Sequence, residues 1–196
     1  MRVSNRGPGH DPGGDASKVL LDPERMRRTL IRMAHEIAEH TPDVSALALV
    51  GIQRRGVELA DRLAGLLEEY HGARPATGSI DISFYRDDLG ARVPAYDQPL
   101  VRSTSLPFDV EGRRIVLVDD VLFTGRTIRA AIEALFDYGR PQVVQLAVLV
   151  DRGHRELPIR PDFVGKNVPT SRLERIDVRL AELDGVDEVS LVSSRA

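Results

Sequence analysis

Two short segments, Ile115 to Val118 and Val143 to Val150, are apolar almost throughout and rich in β-branched residues. A strand that reads apolar at nearly every position is covered on both faces, as in a parallel sheet packed between helices. Parallel neighbours cannot be joined by a hairpin, so a crossover must connect them. The segment after the first of these strands meets that need, with Ile128, Ile132, Leu135 and Phe136 recurring at helical spacing. Upstream, Asp22-Pro23 opens a helix, with Asp22 as N-cap and Pro23 in its first turn. Met26, Leu30, Met33 and Ile37 mark its inner face, and Thr41-Pro42 ends it. Ala46 to Val50 reads as a strand, and Val57 to Tyr70 as a helix with Leu59, Leu63, Leu66 and Leu67 inward. Ser79 to Tyr85 reads as a strand with Ile80, Ile82 and Phe84 on one face. Ile176 to Leu180 and Glu188 to Val192 alternate in period two and are expected as edge strands. The expected class is α/β: an open, mostly parallel, twisted sheet flanked by helices, with right-handed crossovers.

The chain has 196 residues with a 42% apolar share, enough for one domain with a full core. Residues 1–17 are rich in Gly and Pro without apolar periodicity and read as a disordered tail, leaving residues 18–196 as the domain. Cysteine is absent, which excludes disulfides, thiolate metal sites and a cysteine nucleophile. No apolar run approaches the roughly 20 residues of a membrane span, and no secretory signal is visible. A cytoplasmic protein without a membrane partner is expected. The net charge of −3 argues against broad nonspecific nucleic-acid binding but leaves room for a local basic face.

In open parallel sheets, ligands sit beyond the carboxyl ends of the strands. The informative loops therefore follow Val50, Tyr85, Val118 and Val150. The third runs Val118, Asp119, Asp120, Val121, Leu122, Phe123, Thr124, Gly125, Arg126, Thr127. It passes from a strand through two acids and a Thr-Gly turn into a helix. A helix N-terminus offers backbone N–H groups and partial positive charge to a phosphate. Thr124 and Thr127 add hydroxyl donors, and Asp119 and Asp120 can accept from vicinal ribose hydroxyls. Neither a G-x-x-x-x-G-K-[ST] loop nor a G-x-G-x-x-G fingerprint is present. In the loop after Val50, Gln53, Arg54, Arg55 and Gly56 suit a diphosphate, because arginine binds phosphate oxygens bidentately. Residues 86–107 carry little pattern, which at that length suits a lid or a disordered segment. After Val150, Asp151 to Arg160 mixes charge with Leu157 and Ile159, and His154 there fits a general base, a structural role or an RNA contact equally.

The Asp119-to-Thr127 loop resembles the ribose-phosphate site of the type I phosphoribosyltransferases. That resemblance implies 5-phosphoribosyl-1-diphosphate (PRPP) as substrate, with Mg²⁺ held mainly through the substrate and near Asp119 and Asp120. It implies a flexible loop at about 86–107 carrying Arg86, which would join Asp119 and Asp120 as catalytic residues. It also implies a cis peptide in the diphosphate loop. A small hood at about 151–171 would cover the base with Arg152, Leu157 and Ile159. Purine enzymes of this type commonly carry an acid immediately before the Thr-Gly. Phe123 stands there instead, which favours a pyrimidine.

A closer resemblance is to the PyrR family. It is carried by Arg28 to Glu36, Ile80-Asp81-Ile82, Tyr85-Arg86-Asp87-Asp88, Asp119 to Thr127, Val150 to Arg160 and Gly165 to Ser171, across about residues 18–192. The resemblance implies a uracil phosphoribosyltransferase that forms UMP. It also implies a regulator that binds pyrimidine operon leader mRNA under control of UMP or UTP and attenuates transcription. RNA contacts would come from Arg25, Arg28, Arg32 and His35 on the first helix, with Arg155, Lys166 and Thr170 later in the chain. A homodimer or higher homo-oligomer is implied. The alternative is a salvage uracil phosphoribosyltransferase without RNA binding.

Overall fold

The computed structural model describes residues 16–83 and 104–193. Arg86, most of the expected lid and most of the expected tail lie outside the described residues. Among the described residues, eight strands and four α-helices follow in order: β1 (Ala16–Leu21), α1 (Pro23–Glu39), β2 (Leu47–Ile52), α2 (Arg55–His71), β3 (Ala76–Ile80), β4 (Arg114–Leu122), α3 (Arg126–Phe136), β5 (Val143–Asp151), β6 (Phe163–Asn167), β7 (Glu174–Arg179), α4 (Ala181–Asp184) and β8 (Glu188–Ser193). Five of the strands form a parallel sheet in the order β3-β2-β4-β5-β6.

Alternate residues of the central strands feed two cores. Leu47, Leu49, Val116, Val118 and Leu149 face α1 and α2, meeting Met26, Leu30, Ile37, Leu59, Leu63 and Leu67. Ala48, Val50, Ile115, Leu117 and Val148 face the other way, onto Ile128 and Leu135 of α3 and Val110 of the preceding loop. Double coverage explains why these strands carry no polar face. The α1 boundaries follow from local chemistry. Asp22 accepts the Arg25 N–H at 2.8 Å, and Pro23 occupies the first turn, where a missing N–H costs nothing.

Five expectations need correction. The strand at the second sheet edge spans Ala76–Ile80, three residues earlier than the Ile80/Ile82 alternation implies, because its pairing with Ala48–Ile52 sets the register. Phe163–Asn167 is an edge strand inside the expected hood. The two alternating C-terminal segments do not extend the main sheet. They form β7 and β8 of a separate antiparallel sheet, in the order β1-β8-β7. Its outer strand β1 begins at Ala16, two residues inside the expected tail. Alternation shows that a strand has two different faces but does not choose its partner. Finally, Phe136 is 51% exposed, since α3 ends on it and the chain then turns away.

The small sheet is latched to the main one through Arg62 of α2. Its guanidinium donates to both Glu182 oxygens at 2.9 and 2.6 Å and both Asp187 oxygens at 3.0 and 2.7 Å. The hydrogen bond from Arg62 lowers the Glu182 pKa. Burial raises that of Asp187, but Arg62 and the Ala181 N–H outweigh it and the net shift is down. Depressed acids contribute stability above their unfolded pKa and lose it as pH falls through the folded one. Arg62→Met is expected to cost about 2 kcal/mol at pH 7 in a denaturant titration. The wild-type advantage should shrink below about pH 4. An unchanged midpoint at pH 7 would show the latch to be idle.

Candidate active site and adjoining basic face

The acid pair stands near the carboxyl end of β4. Its height is set by pairing, with Asp119 opposite Val148 and Leu122 opposite Asp151 on β5, and Val118 opposite Gly51 on β2. Three of the expected loops therefore meet at one edge. Asp119 is buried, and its Oδ1 accepts the Asp120 N–H at 3.0 Å. Asp120 Oδ1 accepts the Val121 N–H at 2.8 Å. Burial raises the pKa of both acids. The neighbouring Asp120 charge pushes Asp119 further up, while the Val121 N–H and the Arg55 charge hold Asp120 back. Such a pair is built to receive donors and positive charge from a ligand.

Beyond the acids, Val118 and Leu122 are buried in the two opposite cores, and Val121 packs against the one that holds Val118. Gly125 has φ 93°, a left-handed conformation that favours glycine, and opens α3 without a side-chain cap. That leaves the first turn to an anion. Thr124 Oγ1 accepts the Arg126 N–H at 3.3 Å, and Thr127 is exposed at the helix entry.

In the loop after β2, where a diphosphate site is expected, the Gln53–Arg54 peptide is cis. Gly56 packs so tightly that a Cβ would lie 2.3 Å from the Val118 carbonyl oxygen. That contact seats the loop beside the acids. Arg54 is exposed and Gln53 half-buried. Arg55 is engaged elsewhere, its Nη2 lying 3.0 and 3.1 Å from the two carboxylate oxygens of Asp184.

The loop after β5 folds over the turn from Phe123 to Gly125. The carbonyl of Thr124 accepts from the Glu156 and Leu157 N–H groups at 3.0 and 3.3 Å. Arg126 Nε reaches Glu156 at 2.7 Å. Leu157 and Ile159 lie directly over Gly125, within 3.5 Å of where its Cβ would be. Arg152 is buried, with its guanidinium 4.1 Å from the centre of the Phe123 ring. His154 donates Nε2–H to the Thr170 carbonyl at 2.5 Å, because a carbonyl can only accept. Sequence reasoning assigned no role to Asp151, Glu156 or Asp184, the partners of Arg155, Arg126 and Arg55. The i,i+4 spacing of Asp151 and Arg155 was a visible signal, whereas Asp184 had none.

The basic helix residues divide. Arg25 and Arg28 are exposed and form ion pairs of 3.5 Å with Asp22 and Glu24 respectively. Arg32 donates to Glu36 at 2.5 Å and to the carbonyls of Val164 and Gly165 at 3.1 and 2.6 Å, binding α1 to the edge strand. His35 turns toward α2, with Nδ1 2.9 Å from His71 Nε2. Lys166 is exposed on β6, and Arg155 is drawn into its own loop by Asp151, Gly153, Phe123 and Ile159.

A parallel sheet of this order, with an acid pair, a glycine-opened helix entry and an arginine-bearing loop at its carboxyl edge, is the arrangement expected of a phosphoribosyltransferase. The phosphoribosyl transferase domain model matches residues 17–182. The fold is also that of hypoxanthine phosphoribosyltransferase of Trypanosoma cruzi in complex with the product IMP, at a TM-score of 0.67 and 16% identity, covering 94% of each chain. At higher resemblance stands the bifunctional protein PyrR of Roseiflexus sp. (strain RS-1), 61% identical over 180 residues, 91% of this chain and 97% of the relative. PyrR of Halalkalibacterium halodurans is 52% identical over 175 residues, 89% and 97% of the two chains. The chain belongs to the PyrR family of bifunctional proteins. Among the described residues, no helix is long and apolar enough to cross a membrane.

Proposed function

We propose that this chain makes UMP and diphosphate from uracil and PRPP, and that the same site senses UMP or UTP to control binding to pyrimidine operon leader RNA. Phe123 is the observation that supports a pyrimidine. It holds the position next to the phosphate turn with a side chain that exchanges no proton, its ring backed by Arg152. Asp119 and Asp120 accept from the ribose hydroxyls and stabilise positive charge as the C1–diphosphate bond breaks. The α3 entry, with Thr124 and Thr127, holds the 5′-phosphate, and Gln53, Arg54 and the loop backbone hold the diphosphate. Leu157 and Ile159 cover the base and keep water out. The acids suit a hard cation that is also held by substrate oxygens, and Mg²⁺ bound there supplies neutralising charge to the leaving diphosphate. Arg86 of the loop outside the described residues belongs to this reading as the group that closes on the substrate.

Arg25, Arg28 and Lys166 are exposed cations suited to RNA phosphates, joined at the hood by Arg155 and Thr170. Arg32 and His35 set the flanks of that face through β6 and α2. A homo-oligomer would multiply the face. Replacing Arg25 and Arg28 together by alanine is expected to weaken leader-RNA binding about tenfold. The slope of log affinity against log salt should fall by about 2. UMP synthesis should stay at the wild-type rate. RNA binding unchanged in strength and salt slope would remove α1 from the interface. The enzymatic half is tested by supplying PRPP and Mg²⁺ with uracil or hypoxanthine. UMP is the expected product, and IMP formed at a comparable rate would refute the role of Phe123.

A further inference from the structure

A nucleotide can control RNA binding only if its site and the RNA face share an element that both of them bias. Phe123 touches both sides. The residue is 36% exposed in the loop after β4, and its ring carries the Arg152 guanidinium against it. The ring of His154 meets it nearly edge-on, with centroids 5.9 Å apart. Its carbonyl accepts from Arg155 Nη1 at 3.0 Å. Behind the ring, Arg152 Nε donates to Thr170 Oγ1 at 3.1 Å, and Nη2 donates to the carbonyls of Ser171 and Glu174 at 3.1 and 2.6 Å. His154 binds the same Thr170 through its carbonyl. Two proposed RNA contacts, Arg155 and Thr170, thus stand next to Phe123 or one side chain beyond it. Arg25 and Arg28 show no such path.

The electrostatics make this joint sensitive. Arg152 is 7% exposed; its hydrogen-bond partners are neutral oxygens, a ring face lies against it, and the nearby Glu174 carboxylate supplies the opposite charge. The hydrogen bonds and ring contact of Arg152 fix where the guanidinium sits, so a shift of the ring or of the turn from Thr170 to Glu174 moves it. We infer that Arg152 is a positioning residue that couples nucleotide occupancy to the RNA face. A base resting on the open side of Phe123 pins the ring. The ring pins Arg152, and Arg152 orders Thr170 and the turn from Ser171 to Glu174. The ordering cost is then met before RNA arrives, which tightens RNA binding without a large movement. The inference rests on the reading that the site holds a uridine nucleotide and that the hood face meets RNA.

The test measures RNA affinity of the full chain for the organism's own pyrimidine leader transcript, without UMP and at saturating UMP, and takes the ratio. The variants are Arg152→Lys, Phe123→Leu and the conservative Phe123→Tyr. In the wild type, UMP should tighten binding by about 5- to 150-fold, the usual range of coupling. In Arg152→Lys and Phe123→Leu the ratio should fall to within about twofold of one, and Phe123→Tyr should keep it. UMP should slow hydrogen exchange in residues 153–160 and 170–174 of the wild type and not of the first two variants. If Arg152→Lys fails to fold, Phe123→Leu carries the test alone. RNA affinity that drops equally with and without UMP, leaving the ratio intact, would make Arg152 merely structural and overturn the inference. A wild-type ratio of one would overturn the underlying reading and the inference with it, so the two failures are told apart by the wild type.

Discussion

Replacing Asp119 and Asp120 together by asparagine is expected to cut UMP formation at saturating PRPP by at least about a thousandfold. The same change should stabilise the free protein at neutral pH. Burial raises both pKa values, so the folded state binds protons more tightly than the unfolded chain. An acid shifted upward contributes stability at low pH and loses it as pH rises through the folded pKa. At pH 7 the pair is therefore a burden, and asparagine removes the charge while Oδ1 of residue 119 still accepts the neighbouring N–H. The melting temperature at pH 7 should rise by roughly 3 °C, and the gap to wild type should close as the solution is acidified. Activity lost together with stability would indicate misfolding. Activity retained would move the chemistry away from this pair.

The second large effect is expected at Gly56. A Cβ there would meet the Val118 carbonyl oxygen at 2.3 Å and the Val118 carbonyl carbon at 3.2 Å. Both are backbone atoms of the central strand and cannot rotate aside. Gly56→Ala should cost about 3 kcal/mol in a denaturant titration and weaken PRPP binding at least tenfold, because the diphosphate loop must lift off the sheet. Gly65→Ala in the same helix is the control. Its Cβ would meet nothing closer than Arg74 at 3.6 Å, and it should gain about 0.5–1 kcal/mol from helix propensity. Equal effects at the two glycines would mean that the close contact with β4 carries no weight.

These two sites differ in how far the sequence reveals them. Asp119 to Thr127 is legible because strand, acids, turn and helix entry are contiguous, and each step of the chemistry lies next to the backbone that positions it. The loop at Gly51 to Gly56 is legible as far as its glycines and arginines go. The engagement of Arg55 is not, because Asp184 stands 129 residues away in a four-residue helix with no pattern of its own. The antiparallel sheet escaped for a related reason. Its strands come from opposite ends of the domain, and nothing local in Ala16–Leu21 announces Val189 and Ser193 as partners. The basic helix was legible as a stripe of charge. Only the packed structure shows that Arg32 holds the carbonyls of Val164 and Gly165, while Arg25 and Arg28 remain outward.

The most direct test of the central claim is the binding of the wild-type chain to its organism's pyrimidine leader transcripts, at fixed salt and Mg²⁺, with UMP, with GMP and with neither. UMP should tighten binding, and GMP should not. Binding indifferent to UMP, or no binding alongside measurable UMP synthesis, would contradict that claim and leave a salvage enzyme whose basic helix is a solvated surface.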